Sequence, residues 1–172
     1  SFQLGSNRSL LTALAEGRLD MAVLSGFGVV LDAELASCVT RADPCMVMIS
    51  AEHPLAAKAE IHPRELRGMP IVLNRAQDSQ PSAAQIAGMY ASMGLGGNPR
   101  MYADDFYGIA LIIHAGLAFS IMPASMADWG ISGVVFRPLH GFRAKARTLL
   151  VYPRGRKELG VSSFVSLIKP KR

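Results

Sequence analysis

Three short stretches carry side chains and amides that could hold a small molecule: Ser6-Asn7, Ser79-Gln80-Pro81-Ser82 and Asp104-Asp105-Phe106. Each precedes a run of apolar residues at helical spacing, so each is expected at a helix start. There the first amides have no intrahelical acceptor and carry a partial positive charge, which suits anions and polar head groups. Taken singly, each reads as an ordinary N-cap. The case for a ligand rests on several of them converging on one crevice at the carboxyl ends of parallel strands.

Catalysis has less to build on. His53, His62, His114 and His140 show neither HExxH nor any other spacing typical of metal ligands. No GxSxG elbow, P-loop or GxGxxG is present, and Gly94, Gly96 and Gly97 belong to a turn after a helix. Asp104-Asp105 is the one paired carboxylate, and such a pair at a helix start serves as caps complementing the macrodipole. No enzyme activity, metal or cofactor is expected. Cys38 and Cys45 stand seven apart without a CxxC, which supports neither a zinc site nor a disulfide framework. They read as two buried small hydrophobes in a reducing cytoplasm, with a regulatory disulfide between them left conceivable.

The 172 residues are 50% hydrophobic and 18% charged, enough apolar side chain for a sizeable core and too much for a disordered tail. The most apolar stretch, residues 109–122, is broken by His114, Gly116 and Ser120 and is shorter than the roughly 20 residues a bilayer crossing needs. No transmembrane span and no export signal are read, and the start at Ser1 looks excised from a longer protein. Charge is uneven: 8 basic against 12 acidic residues up to Phe136, then 10 against 1 from Arg137 onward. Arg143, Lys145 and Arg147 alternate through a strand-like segment, so that basic stretch is read as a solvated face.

The elements that must position these residues alternate. Phe2 to Leu4 reads as the end of a strand, Arg8 to Glu16 as a helix stopped by Gly17, and Leu19 to Leu24 as a buried strand. Strands follow at 46–49 and 71–73, a helix over 82–93 closed by Gly94, and a strand at 100–102. A helix then runs from Asp104 or Asp105 to Ala115, with Gly116 past its end. Strands at 118–122, 134–136 and 148–152 precede a last apolar-periodic segment, 161–168. The alternation predicts an α/β protein with parallel-rich sheets. Connections around 40–45 and 140–146 could carry the chain out of one lobe and back. Residues 1–45 plus 141–172 would then form lobe I and 46–140 lobe II, with a hinged cleft between them.

Five segments, in order, resemble the effector-binding domain of LysR-type transcriptional regulators. Leu11-Thr12-Ala13-Leu14-Ala15-Glu16-Gly17-Arg18-Leu19-Asp20-Met21-Ala22 is similar to that family's L…L..G.LD.A segment, and His53-Pro54-Leu55-Ala56 to its HPLA stretch. Residues 61–71, residues 115–123 (AGLAFSIMP, with Ala118 where Gly is usual) and Tyr152-Pro153-Arg154-Gly155-Arg156 complete the set. The resemblance implies two Rossmann-like lobes with a hinge, a periplasmic-binding-protein type 2-like fold. It also implies a small effector between the lobes, homodimers or homotetramers, and contact with DNA through an upstream winged helix-turn-helix; no membrane role follows. The family's first strand and helix would precede Ser1, leaving lobe I incomplete here.

Carried over, the family's effector positions fall at Ser6, Asn7, Asn74, Gln80, Pro81, Ser82 and Phe106, coinciding with the helix starts. The net charge of +5 suggests an anionic effector such as a carboxylic acid. Two rivals come from other classes. A transport solute-binding protein would share the fold, but the HPLA and AGLA…MP segments resemble the regulators. A nucleic-acid module would use the basic C-terminal stretch, which has few aromatics and no recognised motif.

Overall fold

The computed structural model describes Gln3 and residues 5–26, 29–75 and 82–155. The expected strand end at Phe2 and Leu4, the site residues Gln80 and Pro81, and the segment 161–168 lie outside those residues. The chain divides into two compact units, Ser1–Ala42 with Arg147–Arg172, and Asp43–Ala146.

In the first unit, α1 (Asn7–Ala15) buries Leu10, Ala13 and Leu14 on one stripe. Its end follows from Gly17 at φ 70°. Gly17 N donates to Leu14 O at 3.1 Å and Arg18 N to Ala13 O at 2.9 Å, the paired bonds of a Schellman stop. The chain then enters β1 (Ala22–Ser25), which pairs antiparallel with β7 (Lys145–Pro153), Ala22 opposite Val151. Leu10, Leu14, Ala22, Leu24, Leu35 and Val151 form the core here.

The second unit holds β3 (Ile71–Asn74), α2 (Ser82–Ser92), β4 (Arg100–Ala103), α3 (Phe106–His114), β5 (Ser120–Pro123) and β6 (Val134–Pro138). β3 pairs parallel with β4. On its other side Phe119 N donates to Pro70 O at 3.0 Å and Val72 N to Phe119 O at 2.9 Å, so β5 enters parallel to β3. β2 (Leu35–Ser50) lies antiparallel to both β5 and β6. β3, β4, β5 and β6 therefore run one way and β2 the other, so the expected parallel pairing holds at β3–β4 and at the bridge to β5, whereas the β1–β7, β2–β5 and β2–β6 ladders are antiparallel. The core gathers Met48, Val72, Ala103, Ile109, Ala110, Ile113 and Ala118.

The chain divides at Ala42–Asp43 and at Ala146–Arg147, within the stretches read as connections, but residues 40–45 are strand rather than loop, the middle of the 16-residue β2. Its side chains alternate between half-buried and exposed from Ala36 to Arg41 and become fully buried only from Val47, so the apolar run at 46–49 marks just its inner end. Likewise the second stretch read as a connection, 140–146, turns at Gly141 (φ 71°) and is already strand by Lys145. Cys38 and Cys45 thus sit seven positions apart on one extended strand, roughly 23 Å along its axis, which excludes a disulfide between them. Burial pushes the Cys45 thiol up, with Asp43 adding to the shift against a backbone hydrogen bond from Ala146.

The segments that carried the family resemblance are caps and stops. His53 Nδ1 accepts from Leu55 N at 3.1 Å and opens a 3-10 turn, Pro54–Ala57, whose Ala56 is buried. Arg137 Nε donates to Ala56 O at 2.9 Å, tying that turn to β6. Ala115-Gly116-Leu117 closes α3 as Gly17 closes α1, with Gly116 N on Ile113 O at 2.9 Å and Leu117 N on Ile112 O at 3.2 Å.

Candidate functional site

In the first unit the expected residues stand at the start of α1. Ser6 is the N-cap: its Oγ accepts from Ser9 N at 3.2 Å. Asn7 is committed elsewhere. Its Nδ2 donates to Ser25 O at 2.8 Å and its Oδ1 accepts from Ser25 N at 3.3 Å, so the side chain clamps the helix start to the end of β1. What this corner offers a ligand is the exposed Ser6 hydroxyl and the first amides of α1.

In the second unit the parallel strands β3 and β4 end side by side at Asn74 and Ala103, and Asp104-Asp105 leads straight into α3. Asp105 Oδ1 accepts from Gly108 N at 2.8 Å and caps the helix. Asn74 Nδ2 donates to Asp104 O at 3.3 Å. The structure thus joins Asn74 to the loop that leads into Phe106, whose ring meets Trp129 edge-on at 5.0 Å between centroids. Ser82 opens α2 after β3.

Three further side chains belong to this corner and carry no motif. Arg75 Nε donates to Asp104 Oδ1 at 3.0 Å, and its guanidinium stands 5.8 Å over the Tyr102 ring. Both members of the ion pair are largely exposed, so it orients Arg75 more than it stabilises the fold. Trp129, the sole tryptophan, is 57% exposed beside Phe106. The signals available in the sequence were adjacency, for Arg75 next to Asn74 and Tyr102 at a strand end, and rarity, for Trp129.

Three acidic groups here are matched. Asp104 faces Arg75, Asp105 caps α3, and Ser125 donates to Asp43 at 2.9 Å near the end of β5. A crevice behind Asn74, lined by Leu73, Ala83, Ile86, Ala87, Tyr90 and Arg100, holds only about 10 Å³, room for a water-sized group. A ligand at this corner would rest against the open strand ends.

The histidines take structural places. His53 and His62 precede 3-10 turns, His114 ends α3, and His140 Nδ1 lies 2.8 Å from Glu60 Oε2. Among the described residues no three metal-ligating side chains cluster, and no helix is long and apolar enough to cross a membrane.

Comparison with known proteins gives this geometry a context. The model of the LysR substrate binding domain matches residues 1–171. The Hca operon transcriptional activator HcaR of Escherichia coli (strain K12) is 22% identical over 129 residues, 75% of this chain and 44% of that protein; the chain thus spans less than half of that relative. Among solved structures, the BenM effector binding domain with its effector benzoate superposes with a TM-score of 0.79 at 17% identity, over 95% of this chain and 74% of that one. The effector binding domain of QuiR in complex with shikimate gives 0.79 at 16%, over 98% and 78%. HinK, a LysR family transcriptional regulator from Pseudomonas aeruginosa, gives 0.79 at 20%, over 95% and 57%.

Proposed function

The chain belongs to the LysR substrate-binding domain family, and from that premise we propose that it senses a small anionic effector and passes its binding to a DNA-binding domain elsewhere in a full-length regulator. Its fold is of the periplasmic-binding-protein type 2-like class. The observation that carries the reading is the family match over residues 1–171. In the proposal the two units, Ser1–Ala42 with Arg147–Arg172 and Asp43–Ala146, act as the lobes expected at 1–45 with 141–172 and at 46–140. The effector shifts a population between their arrangements, and the regulator works as a homodimer or homotetramer in the cytoplasm. The domain binds and releases its effector without transforming it.

The proposed contact set is Ser6, Asn7, Asn74, Gln80, Pro81, Ser82 and Phe106, with Asn7 acting through the Ser25 backbone it holds. Two facts support an anion. The Arg75 guanidinium keeps donors beyond the Nε given to Asp104, and Asp104 and Asp105 are already partnered. Benzoate and shikimate, held by BenM and QuiR, both carry a carboxylate.

Trp129 supplies the assay, because its ring lies against Phe106. Titrating the protein with aromatic, alicyclic and amino-acid carboxylates should give a saturable change in tryptophan emission and a melting shift for at least one class. Ser6→Ala with Ser82→Ala should then weaken binding about tenfold or more, the scale of hydrogen bonds to a charged group, with the melting point nearly kept. Unchanged affinity in the double variant would reject these positions; a flat screen on folded protein would reject the sensor reading.

A further inference from the structure

A second opening lies at the far end of α2, about 15 Å along the helix from Ser82. It is an open groove of about 470 Å³, within the size range of small-molecule sites. Its walls are Pro63 and Arg67 on one side, Ser92, Met93 and Gly94 at the helix end, and His140, Gly141 and Phe142 after β6.

These walls are held in place. The buried Asn98 donates to Leu66 O at 2.7 Å and Met69 O at 2.9 Å and accepts from Gly68 N at 3.3 Å, pinning the backbone on both sides of Arg67. His140 N donates to Ile61 O at 2.8 Å and Phe142 N to Leu139 O at 3.1 Å. His140 Nδ1 is engaged by Glu60 at 2.8 Å, and its ring lies tilted against His62 with centroids 4.0 Å apart, which fixes the imidazole at the groove's edge.

The Arg67 guanidinium lies on the bare backbone of Gly94: a Cβ there would come within 3.2 Å of its Nη2. Among the described residues Arg67 has no acidic partner. A planar five-donor fork with no counter-ion, beside an imidazole and flanked by the half-buried Pro63, Met93 and Phe142, is shaped for a carboxylate with a flat apolar body. We propose that this groove is a second binding site, separate from the strand ends at Asn74, and that it takes an aromatic carboxylate. Arg67 grips the carboxylate and Phe142 and Met93 cover the ring. The proposal stands whatever the effector of the first site is.

The test is a titration of protein labelled with 13C in its methionine methyls, the Met93 signal being identified by its loss in Met93→Leu. Benzoate is the probe, benzamide its uncharged counterpart and inorganic phosphate the anion without a ring. Benzoate should shift the Met93 methyl saturably, with at least tenfold weaker effects from the other two. Arg67→Ala, at an exposed position, should abolish the shift, and Arg67→Lys should weaken it, while any response of Trp129 emission stays as it was. The proposal falls if benzoate leaves Met93 unmoved, if benzamide or phosphate acts as strongly, or if the shift survives Arg67→Ala.

Discussion

Replacing Tyr90 by Phe removes one oxygen from the middle of the second unit. Tyr90 is 3% exposed, and its Oη accepts from Ile121 N at 3.1 Å. Phe119 N and Ile121 N point to the same edge of β5; the first is met by β3 and the second by this phenol, so the tyrosine supplies the next ladder acceptor. Without it the buried Ile121 N–H loses its partner, at a cost of about 1–3 kcal/mol. Burial also pushes the phenol up from 10.0 to about 12, against the Ile121 amide and the Ser120 hydroxyl, which favour the phenolate. Below pH 10 both folded and unfolded chains keep the proton. Between 10 and about 12 only the unfolded chain releases it, so the native protein loses stability as pH rises, on the order of 1 kcal/mol at pH 11 and a few kcal/mol in all. Tyr90→Phe has no such proton, and Tyr102, Tyr107 and Tyr152 are common to both proteins. Urea unfolding followed by circular dichroism at pH 8 and pH 11 should show the variant's deficit shrinking by on the order of 1 kcal/mol at the higher pH. An equal deficit at both would refute the reasoning.

Three other outcomes are expected. Gly133 sits at φ 80°, and a Cβ there would lie 1.8 Å from His114 Nδ1, so Gly133→Ala should cost about 1–3 kcal/mol, seen as a lower Tm, with the steric share recovered in a His114→Ala background. Asn98→Ala strips two carbonyls and an amide of their buried partner and should cost about 2–4 kcal/mol in urea unfolding; a loss under ~1 kcal/mol would mean water replaces it. In native protein a thiol reagent should label half-buried Cys38 well before buried Cys45, and oxidised protein digested for mass spectrometry should contain no Cys38–Cys45 link.

Where local physics decides, the sequence was readable. Gly17, Gly94 and Gly116 all stand at positive φ one position past a helix cap, as their places after apolar-periodic runs implied. Ser6 and Asp105 are N-caps with measured side-chain bonds. β2 was half hidden because residues 35–44 mix polar and apolar side chains without strict alternation, carry no continuous apolar run and include Pro44. The partners of Asn7, Tyr90 and Asn98 were hidden for another reason: Ser25, Ile121 and Leu66 lie 18, 31 and 32 residues away, and only the fold brings them together.

The same division separates what identifies this family from what decides its ligand. The HPLA segment is a capped 3-10 turn fastened to β6 by Arg137, and the AGLA and AEGRLD segments are helix stops. Each is restricted because a backbone needs a positive φ or a terminal amide needs an acceptor, demands that hold whatever the protein binds. Arg75, Tyr102, Phe106 and Trp129 meet at a corner where no backbone rule fixes their identity, and they differ in charge, size and reach. If the proposed site is the effector's, specificity would rest on these partly exposed side chains, and exchanging them should change the preferred ligand while leaving the turns, stops and core that define the fold intact.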